Sequence, residues 1–293
     1  MAIRFGGRGS SMGMGGRRGG RRRGNLKARL VIAAVLVLVA VGGYLFNTST
    51  NPYTGQSQRV AGISLQQEIA LGLQAVPQMS QQFGGRSSNV EGQRLLENIG
   101  EKLLRAIPAV YPIESVNDIP HEFSFTLLDD DQTVNAFALP GGPTFITDAL
   151  FDRLTEGQIA GVMGHEIVHV VERHGLQRMA KDQMFQGIAG AATTAAGDVS
   201  AGQISQMVTN FLQMSYGRDQ ELQCDQYGVL LMVEAGYDPR AMIEVMRILG
   251  EASGGSGTPE WASTHPDPGN RQEALAQQIK DLFPEGVPEG LIP

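Results

Sequence analysis

Ile159-Ala-Gly-Val-Met-Gly-His165-Glu166-Ile-Val-His169 is the stretch on which the reading of this chain turns. With Val170 and Val171 it presents apolar Ile159, Val162, Met163 and Ile167, a broad water-excluding surface expected of a central helix. Thr155, with Gln158 three residues on, is a capping-box start. Gly175, after Arg173 and His174, is the expected stop. Within the helix, a spacing of four puts the imidazoles of His165 and His169 on one face, one turn apart, where they can share a metal ion. Glu166 stands beside that face, within reach of a proton on a metal-bound water. Gly157, Gly161 and Gly164 each cost a helix about 1 kcal/mol against alanine. Three of them so close together predict that another element packs very tightly there.

A catalytic zinc site needs three protein ligands and an open fourth position. The metzincin pattern would need Gly at 172 and His at 175, where this chain has Glu172 and Gly175. His121 and His174 are candidates, but on a continuous helix His174 falls on a different face from His165. Arg218-Asp-Gln-Glu221-Leu-Gln-Cys224-Asp225 offers a better pair, two carboxylates four apart on one face of a following helix. One can ligate the metal while the other accepts a hydrogen bond from a ligand histidine.

Around these motifs the 293 residues suffice for one large domain or two small ones. Residues 1–46 carry nine Lys and Arg and no acid, whereas the rest carries 14 bases against 30 acids. A body with a net charge of -16 repels phosphate, which argues against a nucleic-acid binder. One cysteine, Cys224, excludes a disulfide scaffold and a cysteine-based zinc finger. Residues 1–29, rich in Gly and Arg, have too little apolar surface to fold. Leu30 to Phe46 is uninterrupted by charge and would span about 25 Å as a helix. It reads as a single-pass signal anchor, its basic flank cytoplasmic and residues 47–293 on the far side. A cleaved signal peptide or an organelle transit segment are the alternatives.

Residues 47–62 read as a polar linker, followed by helices over Ser64–Met79 and Val90–Ile107, the second ended by Pro108 and Pro112. His121–Leu128, Asn135–Leu139 and Thr144–Ile146 read as strands of a small antiparallel sheet. Residues 183–213 read as a mobile flap or a loosely packed helix pair. Ser215–Ala235, a helix after Asp238-Pro239, and Asn270–Leu282 complete the body, with a Pro-rich tail at 284–293.

Four ordered segments carry a resemblance: Asn135-Ala-Phe-Ala-Leu-Pro-Gly-Gly142, the 159–169 stretch with Arg173-His174, Arg218-x-x-Glu221-x-x-x-Asp225-x-x-Gly228, and Ala235-Gly-Tyr-Asp-Pro239. Together they resemble the gluzincin zinc metalloendopeptidases of the HtpX, Oma-type and CAAX prenyl protease family, over about residues 64–250, with a weaker extension through Thr264-His265-Pro266. The resemblance implies an α+β, mostly helical zincin-like domain at 63–283 holding one zinc ion. It implies ligands His165, His169 and Glu221, general base Glu166, and Asp225 orienting a ligand histidine. It also implies that the strand Asn135, Ala136, Phe137 is an edge that pairs with substrate backbone, and that His265 lies near the reacting atoms as a transition-state donor. Cys224, where relatives usually carry Ala, is expected as a small packing residue.

The expectation is a membrane-anchored peptidase acting on misfolded or membrane-associated polypeptides, with the catalytic domain extracytoplasmic or, alternatively, at an organelle inner membrane. Two rivals are a membrane-tethered chaperone or assembly scaffold with a structural zinc, and a latent peptidase gated by residues 183–213 or by His265.

Overall fold

The computed structural model describes residues 26–196, 215–253, 260–265 and 270–293. In chain order come α1 (Leu26–Phe46), β1 (Thr48–Thr50), β2 (Ser57–Arg59), α2 (Leu65–Gln82), α3 (Val90–Val110), β3 (Ser124–Leu128), β4 (Ala136–Ala138), β5 (Pro143–Thr147) and α4 (Asp148–Phe151). Then follow α5 (Glu156–Val171), α6 (His174–Ala196), α7 (Arg218–Glu234), α8 (Ala241–Ser253), α9 (Glu260–Thr264) and α10 (Arg271–Leu282). This is the expected mostly helical α+β body with a small sheet.

The sheet has the order β3-β5-β4. β4 and β5 form the antiparallel hairpin expected around Pro140-Gly141-Gly142-Pro143, whose two glycines supply the positive φ the turn requires, +86° and +126°. β3 pairs with the other side of β5 in parallel, from Ser124 opposite Pro143 to Leu128 opposite Thr147. The Asp129–Asp131 turn carries the chain across to the far edge, so β4 enters there and β5 returns between them. β4 is therefore an edge strand.

α5 runs through the middle of the core. Every residue from Gly157 to Val171 is buried, as expected of a helix that is apolar nearly all round. α3 contributes Leu96, Ile99, Leu103 and Ile107, and α7 and α8 contribute Val229, Met232, Met242 and Val245. The expected tight approaches are present. A Cβ on Gly157 would lie 2.3 Å from the Pro293 carbonyl carbon, one on Gly161 3.0 Å from Met242 Sδ, and one on Gly164 3.4 Å from the Gly228 carbonyl oxygen.

Some boundaries differ from expectation. α5 ends at Val171 rather than at Gly175, because Arg173 takes a left-handed backbone (φ +57°) and breaks the helix two residues earlier. Pro108 lies inside the last turn of α3, which runs on to Val110. The 47–62 linker holds a two-stranded ribbon, and its buried Asn51 donates to the Val171 carbonyl at 2.8 Å, capping the end of α5. The 284–293 tail packs on the start of α5, where the Gly157 N–H donates to the Pro293 carbonyl at 3.2 Å.

α1 has 21 residues, about 31 Å of helix. It begins before the apolar run because Lys27 and Arg29 are good helix formers. Among the described residues it is the one helix long and apolar enough to cross a membrane. It lies along α6, with Gly187 against Ala40. Of the 183–213 segment, the part to Ala196 continues α6, and residues 197–214 lie outside the described residues, as do 1–25.

Candidate metal centre

The capping box is formed: Gln158 Oε1 accepts the Thr155 N–H at 2.9 Å and Thr155 Oγ1 accepts the Gln158 N–H at 3.4 Å. It fixes where α5 begins and hence which face His165 and His169 share. α7 crosses α5 where Gly164 meets Gly228, and the missing side chains let the two backbones approach closely. Glu221, Cys224, Asp225 and Gly228, spaced i, i+3, i+4, i+7, all lie on the buried face of α7.

The result is a convergence of donors. His165 Nε2 is 3.0 Å from His169 Nε2. Glu221 Oε2 lies 3.6 Å from His165 Nε2, and Glu221 Oε1 3.5 Å from His169 Nε2. Ligands about 2 Å from a tetrahedral zinc stand about 3.3 Å apart, so these spacings fit one such ion. Glu221 is fully buried, and although Arg271 Nη1 stands 2.8 Å from its Oε2, no hydrogen bond is directed at Oε1, which leaves that oxygen open to a metal ion. His265 supplies a fourth donor, all four within 4.8 Å of one another.

Asp225 stands behind His165, its Oδ1 3.1 Å from His165 Nδ1. Arg271 of α10 grips it with two bonds, Nε to Oδ2 at 2.8 Å and Nη2 to Oδ1 at 2.7 Å, and its Nη1 reaches Glu221 Oε2 at 2.8 Å. Burial works against ionising Asp225, but Arg271 outweighs it and holds the carboxyl below its usual range. Burial likewise opposes protonating His165, yet the bonds to Asp225 and Glu221 hold its pKa up at about 9. Glu221 is held well below the usual carboxylate range against its burial by the imidazoles of His265, His165 and His169.

Glu166 sits in the dry interior beside this cluster. Burial pushes its pKa up to about 7, near the value that suits a group that takes and returns protons at neutral pH. His265 Nε2 is 3.3 Å from Glu166 Oε1, and the Ala138 N–H and the Trp261 indole face the same carboxyl. His265 is buried, its pKa pushed down to about 3 mainly by that burial.

Asn135, Ala136 and Phe137 are also buried. The Phe137 ring packs on Phe83 and Phe145, away from the donors. The carbonyl of Asn135 and the N–H of Leu139 bond to β5, so by alternation the backbone groups of Ala136 and Ala138 point out of the sheet edge.

Three residues in or around the site were not singled out for it from the sequence, and a fourth, His174, lies elsewhere than expected. Tyr216 stacks on His169 (ring centroids 3.8 Å) beneath the Arg178 guanidinium. Trp261 stacks on His265, and Arg271 braces Asp225. His174, expected on another face, has its Nδ1 3.1 Å from His169 Nδ1. His169, His174 and Cys224 form a second group of close donors.

The family model for peptidase family M48 matches residues 95–279, and the chain belongs to that family. Curated relatives include the mitochondrial metalloendopeptidase OMA1 of Arabidopsis thaliana, 33% identical over 152 residues, covering 52% of this chain and 30% of that protein. The beta-barrel assembly-enhancing protease of Escherichia coli (strain K12) is 30% identical over 276 residues, 88% of this chain and 54% of the relative. The mitochondrial metalloendopeptidase OMA1 of Schizosaccharomyces pombe is 28% identical over 255 residues, 85% and 71%. The chain spans about half or less of the length of the first two.

Proposed function

We propose that this chain is a membrane-anchored, zinc-dependent metalloendopeptidase that hydrolyses misfolded or membrane-associated polypeptides. The observation that carries this reading is the convergence of His165 Nε2, His169 Nε2 and a Glu221 carboxylate whose Oε1 receives no directed hydrogen bond, with Glu166 beside them. One zinc ion held by those three residues would supply a water of lowered pKa and a Lewis acid for the scissile carbonyl. Glu166 accepts the proton of the attacking water and hands it to the leaving amine. Asp225 accepts the Nδ1–H of His165 and so keeps its Nε2 lone pair turned to the ligand point. The outward backbone groups of Ala136 and Ala138, next to Asn135 and Phe137, receive substrate as an added strand. His265 serves as a donor to the developing charge.

The anchor is α1, with its basic flank on the cytoplasmic side and the catalytic body beyond the membrane. An organelle inner membrane is the alternative location, in keeping with relatives named mitochondrial. A relative named for enhancing beta-barrel assembly supports a role in protein quality control.

A second reading, a latent peptidase, is favoured by one observation. His165, Glu166, His169, Glu221 and His265 are each at most 2% exposed, with Trp261 and Tyr216 stacked over the histidines. With the site so enclosed, part of its cover has to move before substrate reaches Glu166, and the 261–265 segment is a described part of that cover.

The test is metal analysis and chelator-sensitive cleavage of unfolded casein by the full chain. Glu166→Gln is expected to keep its zinc and lose turnover. A Glu166→Gln protein that cleaves at the wild-type rate, or a wild-type chain that takes up no zinc, would overturn the reading.

A further inference from the structure

We propose that His174 is a positioning residue for His169: its Nδ1, brought to 3.1 Å from His169 Nδ1 by the left-handed Arg173, fixes that ring's tautomer and orientation for metal binding. The inference rests on the zinc reading above and deepens it.

The argument starts at the backbone. His174 is five residues after His169, so on a continuous helix it would lie about 140° around the axis, out of reach. The chain does not continue. Arg173 takes φ +57°, the only non-glycine among the described residues with a positive φ. Such a conformation persists only where the surroundings hold it. Here they do: Arg173 is buried, its Nε and Nη2 lie 3.0 and 2.9 Å from Glu68 Oε2, and its Nη1 donates to Ser49 Oγ at 3.1 Å. The kink starts α6 at His174 and swings that imidazole back onto His169.

Proton bookkeeping then assigns a direction. His169 Nε2 is the nitrogen that faces His165 and Glu221. A metal ligand presents a lone pair there, so the ring's one proton sits on Nδ1. His174 Nε2 is 3.2 Å from Gln223 Oε1. On its other side the Gln223 amide is directed toward the Glu172 carboxylate, which accepts only, so the NH2 faces Glu172 and the oxygen faces His174. His174 therefore donates from Nε2 and accepts at Nδ1. The chain runs His169 Nδ1–H to His174, His174 Nε2–H to Gln223, and Gln223 N–H to Glu172. It is a longer form of the carboxylate–histidine–metal arrangement. His165 is held by Asp225 directly, whereas His169 is held by a relay ending on a carboxylate.

A competing use of the same atoms is a second metal on His169, His174 and Cys224, with Cys224 Sγ 3.4 Å from His174 Nδ1. Such an ion would need the Nδ1 lone pair of His174 and would strip the Nδ1 proton from His169.

The experiment uses the full chain and inorganic zinc. Chelator competition gives stoichiometry and affinity, and long-range proton–nitrogen NMR gives the His169 tautomer. One zinc per wild-type chain is expected, with His169 protonated at Nδ1. His174→Phe is expected to weaken zinc binding about 10- to 100-fold. His174→Asn, whose Oδ1 replaces the acceptor, is expected to recover most of that loss, which a purely packing role would not. Gln223→Leu leaves both rings in place and is expected to shift affinity in the same direction by less, covering a His174→Phe chain that fails to fold. Wild-type affinity in His174→Phe, two zinc ions per chain, or an unprotonated Nδ1 on His169 each overturns the inference. Absence of zinc from the wild-type chain removes it together with the peptidase reading, whereas normal wild-type loading with unmoved variants removes this inference alone.

Discussion

Trp261 lies flat against His265, ring centroids 4.6 Å apart and planes 11° from parallel. His265 in turn stands 3.3 Å from Glu166 and within the donor cluster. Indole and imidazole together cover the donor cluster, and the covering group is itself a donor.

His265→Ala removes that donor and uncovers Glu166. Under the latent reading, in which His265 fills the fourth position, zinc affinity is expected to fall about tenfold while basal cleavage of unfolded casein rises, read by chelator competition and by gel. A fall in cleavage at unchanged affinity would instead mark His265 as the donor to the developing charge. An unchanged zinc dissociation constant would take His265 out of the donor set.

Arg271→Met leaves the carboxylates of Asp225 and Glu221 buried without their cation. The zinc-free chain is expected to lose about 3–5 kcal/mol, measured by urea unfolding. Saturating zinc should return part of it, because a divalent ion neutralises the same carboxylates. A loss below about 1 kcal/mol would mean that Arg271 does not carry their charge.

Gly72 is where α2 presses on the turn behind β4, and a Cβ there would lie 1.8 Å from the Pro140 carbonyl oxygen. That atom is backbone, so Gly72→Ala must push the hairpin aside. About 1–3 kcal/mol of stability should be lost, with a rise in KM as the edge strand shifts. A variant with wild-type stability and KM would show that the turn yields freely.

Burial raises the pKa of Glu172 above its ordinary value, and the hydrogen bonds it accepts offset this only in part. A carboxyl raised in the folded state favours folding most when protonated, and that contribution is lost as pH rises from the unfolded value through the folded one. Glu172→Gln does not titrate. The variant should therefore gain on the wild type between about pH 4 and pH 7, as read from unfolding free energies. A constant difference across that window would refute the assignment.

The metal-site core was legible because it is written in helical period: His165 and His169 one turn apart, Glu221 and Asp225 one turn apart, and glycines where the helices cross. His174 was misplaced because an arginine is not a break signal, and the residue that holds its kink, Glu68, is 105 positions away. Tyr216, Trp261 and Arg271 reach the site through long-range contacts that leave little local trace. Tyr216 precedes Arg218 by two and Arg271 follows His265 by six, spacings with no periodic meaning. Alternation marks a strand but does not say which neighbour it chooses, so the parallel pairing of β3 with β5, where an antiparallel partner is expected, has no local sign in the sequence.

Cys224 is the chain's single thiol and is fully enclosed, its ionisation suppressed by burial. A cysteine engineered on the outer surface would thus be the sole position open to maleimide reagents. Spin or fluorophore pairs that report the separation between the 261–265 segment and the rest of the body can be attached without first editing the native thiol out.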